Sequence, residues 1–116
     1  MPVGLKQYGT VVDDMLATSG KAAETRILYL LRLLRIEGGN MRTDSKALGD
    51  GLFELTPTAK KKEYRLIYAF HGGDAVILNC FEKKSRKTPK HELDLAKERF
   101  RLLLVSPNRF ENVSIH

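Results

Sequence analysis

The stretch Tyr64–Phe81, YRLIYAFHGGDAVILNCF, decides how the chain folds. Two runs rich in β-branched and aromatic residues flank HGGD, whose glycines can take the positive φ angles of a tight turn. Tyr64–Phe70 and Ala75–Phe81 therefore read as antiparallel neighbours in a hairpin. Alternation along the first strand puts Tyr64, Leu66, Tyr68 and Phe70 on one face and Arg65, Ile67 and Ala69 on the other. The first set is a natural floor for a layer of helices. Arg65 then projects from the opposite face, where a charge inside an apolar strand needs a reason.

Upstream, Leu52–Leu55 reads as a third strand, and Asn40–Gly51, NMRTDSKALGDG, as a polar loop before it. From Lys21 to Glu37 the apolar residues Ala23, Ile27, Leu30, Leu31 and Leu34 repeat at helical spacing, and Gly38 and Gly39 stop the pattern. Val11, Val12, Met15 and Leu16 predict a shorter helix, with Thr10 as N-cap, Asp13 and Asp14 in the first turn, and TSG closing it. The two helices form a hairpin laid on the sheet. Downstream, a last helix opens with Thr88 as N-cap and Pro89 at the first helical position, its stripe being Leu93, Ala96, Phe100 and Leu103. Ser106–His116 reads as a tail. The expectation is one α+β domain over residues 1–116: an N-terminal helical hairpin on an antiparallel sheet of three or four strands, plus a C-terminal helix.

A chain of 116 residues, 42% hydrophobic, suits a single core. Its net charge of +6 points to a polyanionic partner, nucleic acid ahead of an anionic membrane or an acidic protein. The longest apolar run, Ile27–Leu31, is far short of the ~20 residues that span a bilayer. MPVGLKQYGT lacks the pattern of an export signal, so a cytoplasmic location is expected. Cys80 is the only cysteine, which excludes an intrachain disulfide and a multi-cysteine zinc site; inside AVILNCF it reads as a buried thiol. His71, in the turn, His91, near the start of the last helix, and His116 have no metal-ligand spacing, and no metal is expected. Neither GDG nor HGGD opens a helix after a strand, so nothing suggests a nucleotide triphosphate site.

The charge is concentrated in EKKSRKTPKHEL, Glu82–Leu93. Lys83, Lys84, Arg86, Lys87 and Lys90 follow one another with no acid between them, just where a helix begins. Cations there oppose the helix dipole, and an incoming phosphate would relieve that conflict. Lys60, Lys61 and Lys62, in AKKKE, could add a second basic edge.

LGDGLFEL, YRLIYAF and FEKKSRKTPKHELDLAKERF together resemble the phage-derived, HigB-like branch of the RelE/ParE toxin superfamily, over roughly residues 11–100. The resemblance implies a RelE-like fold with a curved sheet, no cofactor, and a helix-turn-helix, HigA-like antitoxin as partner. It also implies ribosome-dependent cleavage of messenger RNA, although other branches inhibit DNA gyrase, and a nucleic-acid-binding module without cleavage is a further alternative. In such cleavage the substrate's own 2′-hydroxyl attacks phosphorus. Arg65 falls where the superfamily places a phosphate-binding arginine, whose planar fork suits phosphate oxygens. Its structural alternative is a pairing with Glu54. Lys84 and Arg86 are then candidates for charge stabilisation and leaving-group protonation. Lys83, Lys87 and Lys90 would hold the RNA backbone. Glu54 would be either general base or the group that orients Arg65, and His91 is a secondary acid-base candidate. Many relatives continue the Glu54 strand with a basic residue where this chain has Thr56 and Pro57; either Lys60–Lys62 replace that charge or activity is weaker.

Overall fold

The computed structural model describes residues 2–114, in three layers with a sheet between two helical faces. In chain order its elements are β1 Gly4–Tyr8, α1 Val11–Thr18, α2 Lys21–Glu37, β2 Ser45–Gly49, β3 Leu52–Leu55, β4 Thr58–Ala59, β5 Lys62–His71, β6 Asp74–Lys83, α3 Lys90–Val105 and β7 Phe110–Asn112. The strand order is β2-β3-β5-β6-β1-β7, with the short β4 pairing to β5 beside this path. Every pairing is antiparallel except that of β1 with β6.

Alternation in β5 sorts the two cores as the sequence predicts. Tyr64, Leu66 and Tyr68 pack with Ile27, Leu30, Leu31 and Leu34 of α2, on what we call the hairpin face. Ile67 and Ala69 pack with Ala96 and Leu103 on the opposite, α3 face. The four α2 residues are fully buried, each contributing about 1.5–3 kcal/mol of hydrophobic stabilisation. In β6 the register moves from Ile67↔Asn79 to Tyr68↔Ile77, a bulge at Leu78. Leu78 and Asn79 consequently both face α3, where the Asn79 amide donates to Glu92 O at 3.2 Å and Arg99 donates to Leu78 O at 2.9 Å.

The sheet corrects the sequence reading in three places. Instead of three or four antiparallel strands there are seven among the described residues, one pair of them parallel. Asn40–Gly51 is not all loop, because Ser45–Gly49 pairs with β3 as an edge strand, five residues too polar to display alternation. Residues 106–114 are not a tail, since Phe110–Asn112 pairs with β1 and buries Phe110 and Val113. The partner of that strand lies at the other end of the chain, which no local pattern can reveal. His116 lies outside the described residues.

The sequence left open whether residues 1–10 form an edge strand; Gly4–Tyr8 does form a strand, lying between β6 and β7, and the second buried position of its alternation is a glutamine. Gln7 is fully buried and satisfied at both ends: its Oε1 accepts from the backbone N–H of Val12 (2.9 Å) and Asp13 (3.2 Å), and its Nε2 donates to Asp13 Oδ2 (2.9 Å) and Asn112 O (3.1 Å). Gln7 thus caps α1 from a neighbouring strand, the task expected of Thr10, whose hydroxyl instead donates to Asp14. No described helix is long and apolar enough to cross a membrane.

Candidate functional site

On the α3 face, strand pairing sets Lys46 of β2 opposite Glu54 of β3 and Glu54 opposite Ile67 of β5, so that Arg65, two residues along β5, is the diagonal neighbour of Glu54 on the same face. Glu54 is 0% exposed and Arg65 only 2%. Arg65 Nη1 lies 3.1 Å from Glu54 Oε1 and 3.2 Å from Oε2, and the exposed Lys46 Nζ stands 3.4 Å from Oε1. This is the buried pairing that the sequence held open as the alternative to a phosphate contact.

The guanidinium also reaches the segment between β6 and α3. Its Nη1 donates to the hydroxyl of Thr88, and its Nη2 to the carbonyl of Arg86 at 2.9 Å. The Thr88 hydroxyl in turn donates to Glu54 Oε2 at 3.0 Å. That engagement explains why α3 starts at Lys90, with Pro89 rather than Thr88 at the N-cap: the Thr88 side chain is spent on the sheet and makes no capping bond. Two atoms of the network, Glu54 Oε1 and Arg65 Nε, are buried without a hydrogen-bond partner. Glu54 Oε1 is nonetheless charge-paired, with Arg65 Nη1 at 3.1 Å and Lys46 Nζ at 3.4 Å.

Above this pair the loop presents its cations. Lys84, Arg86 and Lys87 are exposed, and none has an acidic partner among the described residues. Lys83 is tied to Glu63 at 3.0 Å, and Lys90 to Asp94 at 2.7 Å, a hydrogen bond that raises the lysine pKa and lowers that of the aspartate. The cluster therefore divides into three unpaired cations and two that are partly neutralised. His91 is 81% exposed at the side chain and stands 3.7 Å from Glu92.

Lys60–Lys62 belong to the turn between β4 and β5 and the start of β5. Thr58↔Glu63 and Ala59↔Lys62 pair across a two-residue turn whose residues, Lys60 and Lys61, both have positive φ (49° and 68°). Asn-Gly normally fills such a turn. Lys60 and Lys62 line a recess with Ser19–Ala23 at the start of α2, and Lys62 precedes Glu63, whose partner across the sheet is Lys83. Cys80 is partly exposed as a residue, but its thiol is desolvated and its pKa is pushed well above the usual thiol range, with Arg99 lowering it only in part. Such a thiol is inert as a nucleophile.

Sequence reasoning missed Lys46, which lay in the supposed loop, and misassigned Thr88. The one available signal for Thr88 was its place before Pro89 and beside the cations, which fits a cap equally well.

A family model, described as phage derived protein Gp49-like, matches residues 14–101. The chain belongs to the phage-derived Gp49-like family. This is a RelE-like, toxin-like family. The Gp49-like stretch contains Lys46, Glu54, Arg65, the basic loop and most of α3, whereas β1 and β7 lie outside it. No curated protein matches the chain.

Proposed function

We propose that this Gp49-like protein is the toxin of a toxin-antitoxin pair, an endoribonuclease that cleaves messenger RNA on the ribosome. The observation that carries the reading is the trio of exposed, unpaired cations, Lys84, Arg86 and Lys87, above a buried Arg65–Glu54 pair on one sheet face. Three cations without acids gain most by meeting a polyanion, because phosphates release condensed counterions and the loop's mutual repulsion is relieved.

In the reaction the RNA 2′-oxygen attacks the adjacent phosphorus and the bond to the 5′-oxygen breaks, leaving a cyclic phosphate and a free 5′-hydroxyl. Lys84 and Arg86 stabilise the negative charge that builds on the phosphoryl oxygens. Lys84, crowded by cations, is the candidate donor of a proton to the departing oxygen. His91 is the exposed group suited to accept the 2′-hydroxyl proton. Lys46 and Lys87 hold flanking phosphates, with Lys83 and Lys90 at the margin. No cofactor enters this scheme. A helix-turn-helix antitoxin is the partner in this reading, and both act in the cytoplasm.

The test is primer extension on a reporter messenger in a cell-free translation reaction, with wild-type protein, Lys84→Ala and Arg86→Ala, beside a ribosome-free control. New 5′ ends that need the ribosome and weaken at least tenfold in each variant are expected. An intact messenger refutes the reading, and slowed DNA supercoiling with intact RNA would replace it with gyrase inhibition.

A further inference from the structure

Between Lys83 and Lys90 the chain has no regular structure, yet it carries the cations on which the proposed activity depends. Among the described residues, its hydrogen bonds to the sheet run to one buried pair. Arg65 donates to the Arg86 carbonyl and to the Thr88 hydroxyl, and Glu54 accepts from that same hydroxyl. The loop's other bond from a side chain, Ser85 Oγ to Lys87 O at 2.8 Å, is internal to it. The neighbouring cations repel one another, and between the loop's two ends the bonds to Arg65 and Glu54 hold it to the sheet against that repulsion. The carbonyl of Arg86 is held by the buried arginine while the residue itself is exposed.

We propose that Arg65 is a positioning residue, neutralised by Glu54, that holds the loop Lys84–Thr88 through the Arg86 carbonyl and the Thr88 hydroxyl, so that Lys84 and Arg86 are presented in one fixed geometry. A guanidinium suits the task because it is permanently charged and its planar fork can serve a carboxylate, a hydroxyl and a carbonyl at once. A lysine, a point charge on a flexible stem, could not reproduce the set. For RNA cleavage this assignment rests on the endoribonuclease reading. For the order of the loop it stands on the hydrogen bonds alone.

Two measurements separate these. In the first, purified full-length protein is digested briefly with trypsin and the cut sites are mapped by mass spectrometry. Thr88→Val, which keeps the ion pair and removes the hydroxyl, should raise the rate of cutting after Lys84, Arg86 and Lys87 by roughly tenfold, the worth of one charge-assisted hydrogen bond. Thr88→Ser should restore the wild-type rate. Cutting after Lys60 and Lys61 serves as the internal control and should not change. Equal loop cutting in Thr88→Val, Arg65→Lys and wild type would overturn the proposal. In the second, messenger cleavage is measured for the same variants. Thr88→Val and Arg65→Lys should lose activity by similar factors, mainly in kcat, with Thr88→Ser rescuing. Full activity in Thr88→Val together with none in Arg65→Lys would mean that Arg65 itself meets the substrate, and would also overturn the proposal. If wild-type protein cleaves nothing, the endoribonuclease reading fails and the trypsin result still decides the role of Arg65.

Discussion

Replacing Glu54 by leucine removes the carboxylate that neutralises a guanidinium only 2% exposed. Arg65 would keep the Arg86 carbonyl and the Thr88 hydroxyl, both neutral, and its charge would lie in the sheet without a counterion. Breaking a buried ion pair from one side costs about 3–5 kcal/mol. Arg65→Met strands the carboxylate instead and should cost about the same, eased a little by Lys46 at 3.4 Å. The double variant removes both charges along with the two unsatisfied atoms, Glu54 Oε1 and Arg65 Nε, and should come within about 1 kcal/mol of wild type. In a chain of this length a single variant should therefore lower Tm by roughly 10–20 °C, most of it recovered in the double. Thermal and urea unfolding followed by circular dichroism measure all four proteins. If either single variant stays within about 1 kcal/mol of wild type, or the losses simply add in the double, the pair is not the buried, mutually dependent unit described here. The double variant also separates stability from loop order, since it should be stable yet cut rapidly in the basic loop.

The Lys60–Lys61 turn should gain about 1–2 kcal/mol on replacement by Asn-Gly, because both lysines hold left-handed backbone angles that the new residues tolerate; chemical unfolding would register the gain, and a loss would contradict the turn assignment. Gln7→Met leaves the Val12 and Asp13 N–H groups without their acceptor and should cost about 2 kcal/mol in the same assay. Burial raises the pKa of both the Cys80 thiol and the Tyr68 phenol, so the folded state favours their neutral forms. Their contribution is fully present below the ordinary thiol and phenol ranges, about pH 8.5 and 10, and is lost as pH rises beyond them. The urea midpoint should fall above about pH 8.5, and Cys80→Val should flatten the first part of that fall.

Periodicity made the central elements legible because they are long and bury one face each. Ile27, Leu30, Leu31 and Leu34 in α2, and the alternation through Tyr64–Phe70, name their own partners in the core. β2 and β7 were not legible, being only five and three residues long, and the strand that β7 pairs with lies at the far end of the chain. β1 stayed undecided for a related reason: its Gln7 is buried, a buried polar side chain is tolerable only when all its hydrogen bonds are met, and here those partners come from α1 and β7.

The candidate site divides along the same line. Sequence alone located the basic run Lys83–Lys90 and placed Arg65 on the face away from the helical hairpin, since charge content and alternation are local properties, and the family resemblance singled Arg65 out. Which cations stand unpaired, that Lys60 and Lys62 line a recess beside the start of α2, and that Thr88 binds the sheet instead of capping α3 were decided by tertiary structure. Each depends on distances between residues far apart in the chain. Glu54 and Arg65 are the plainest case: both identities are written in the sequence, but only the pairing of β3 with β5 and the closure of the loop over them turns two strand charges into a buried anchor.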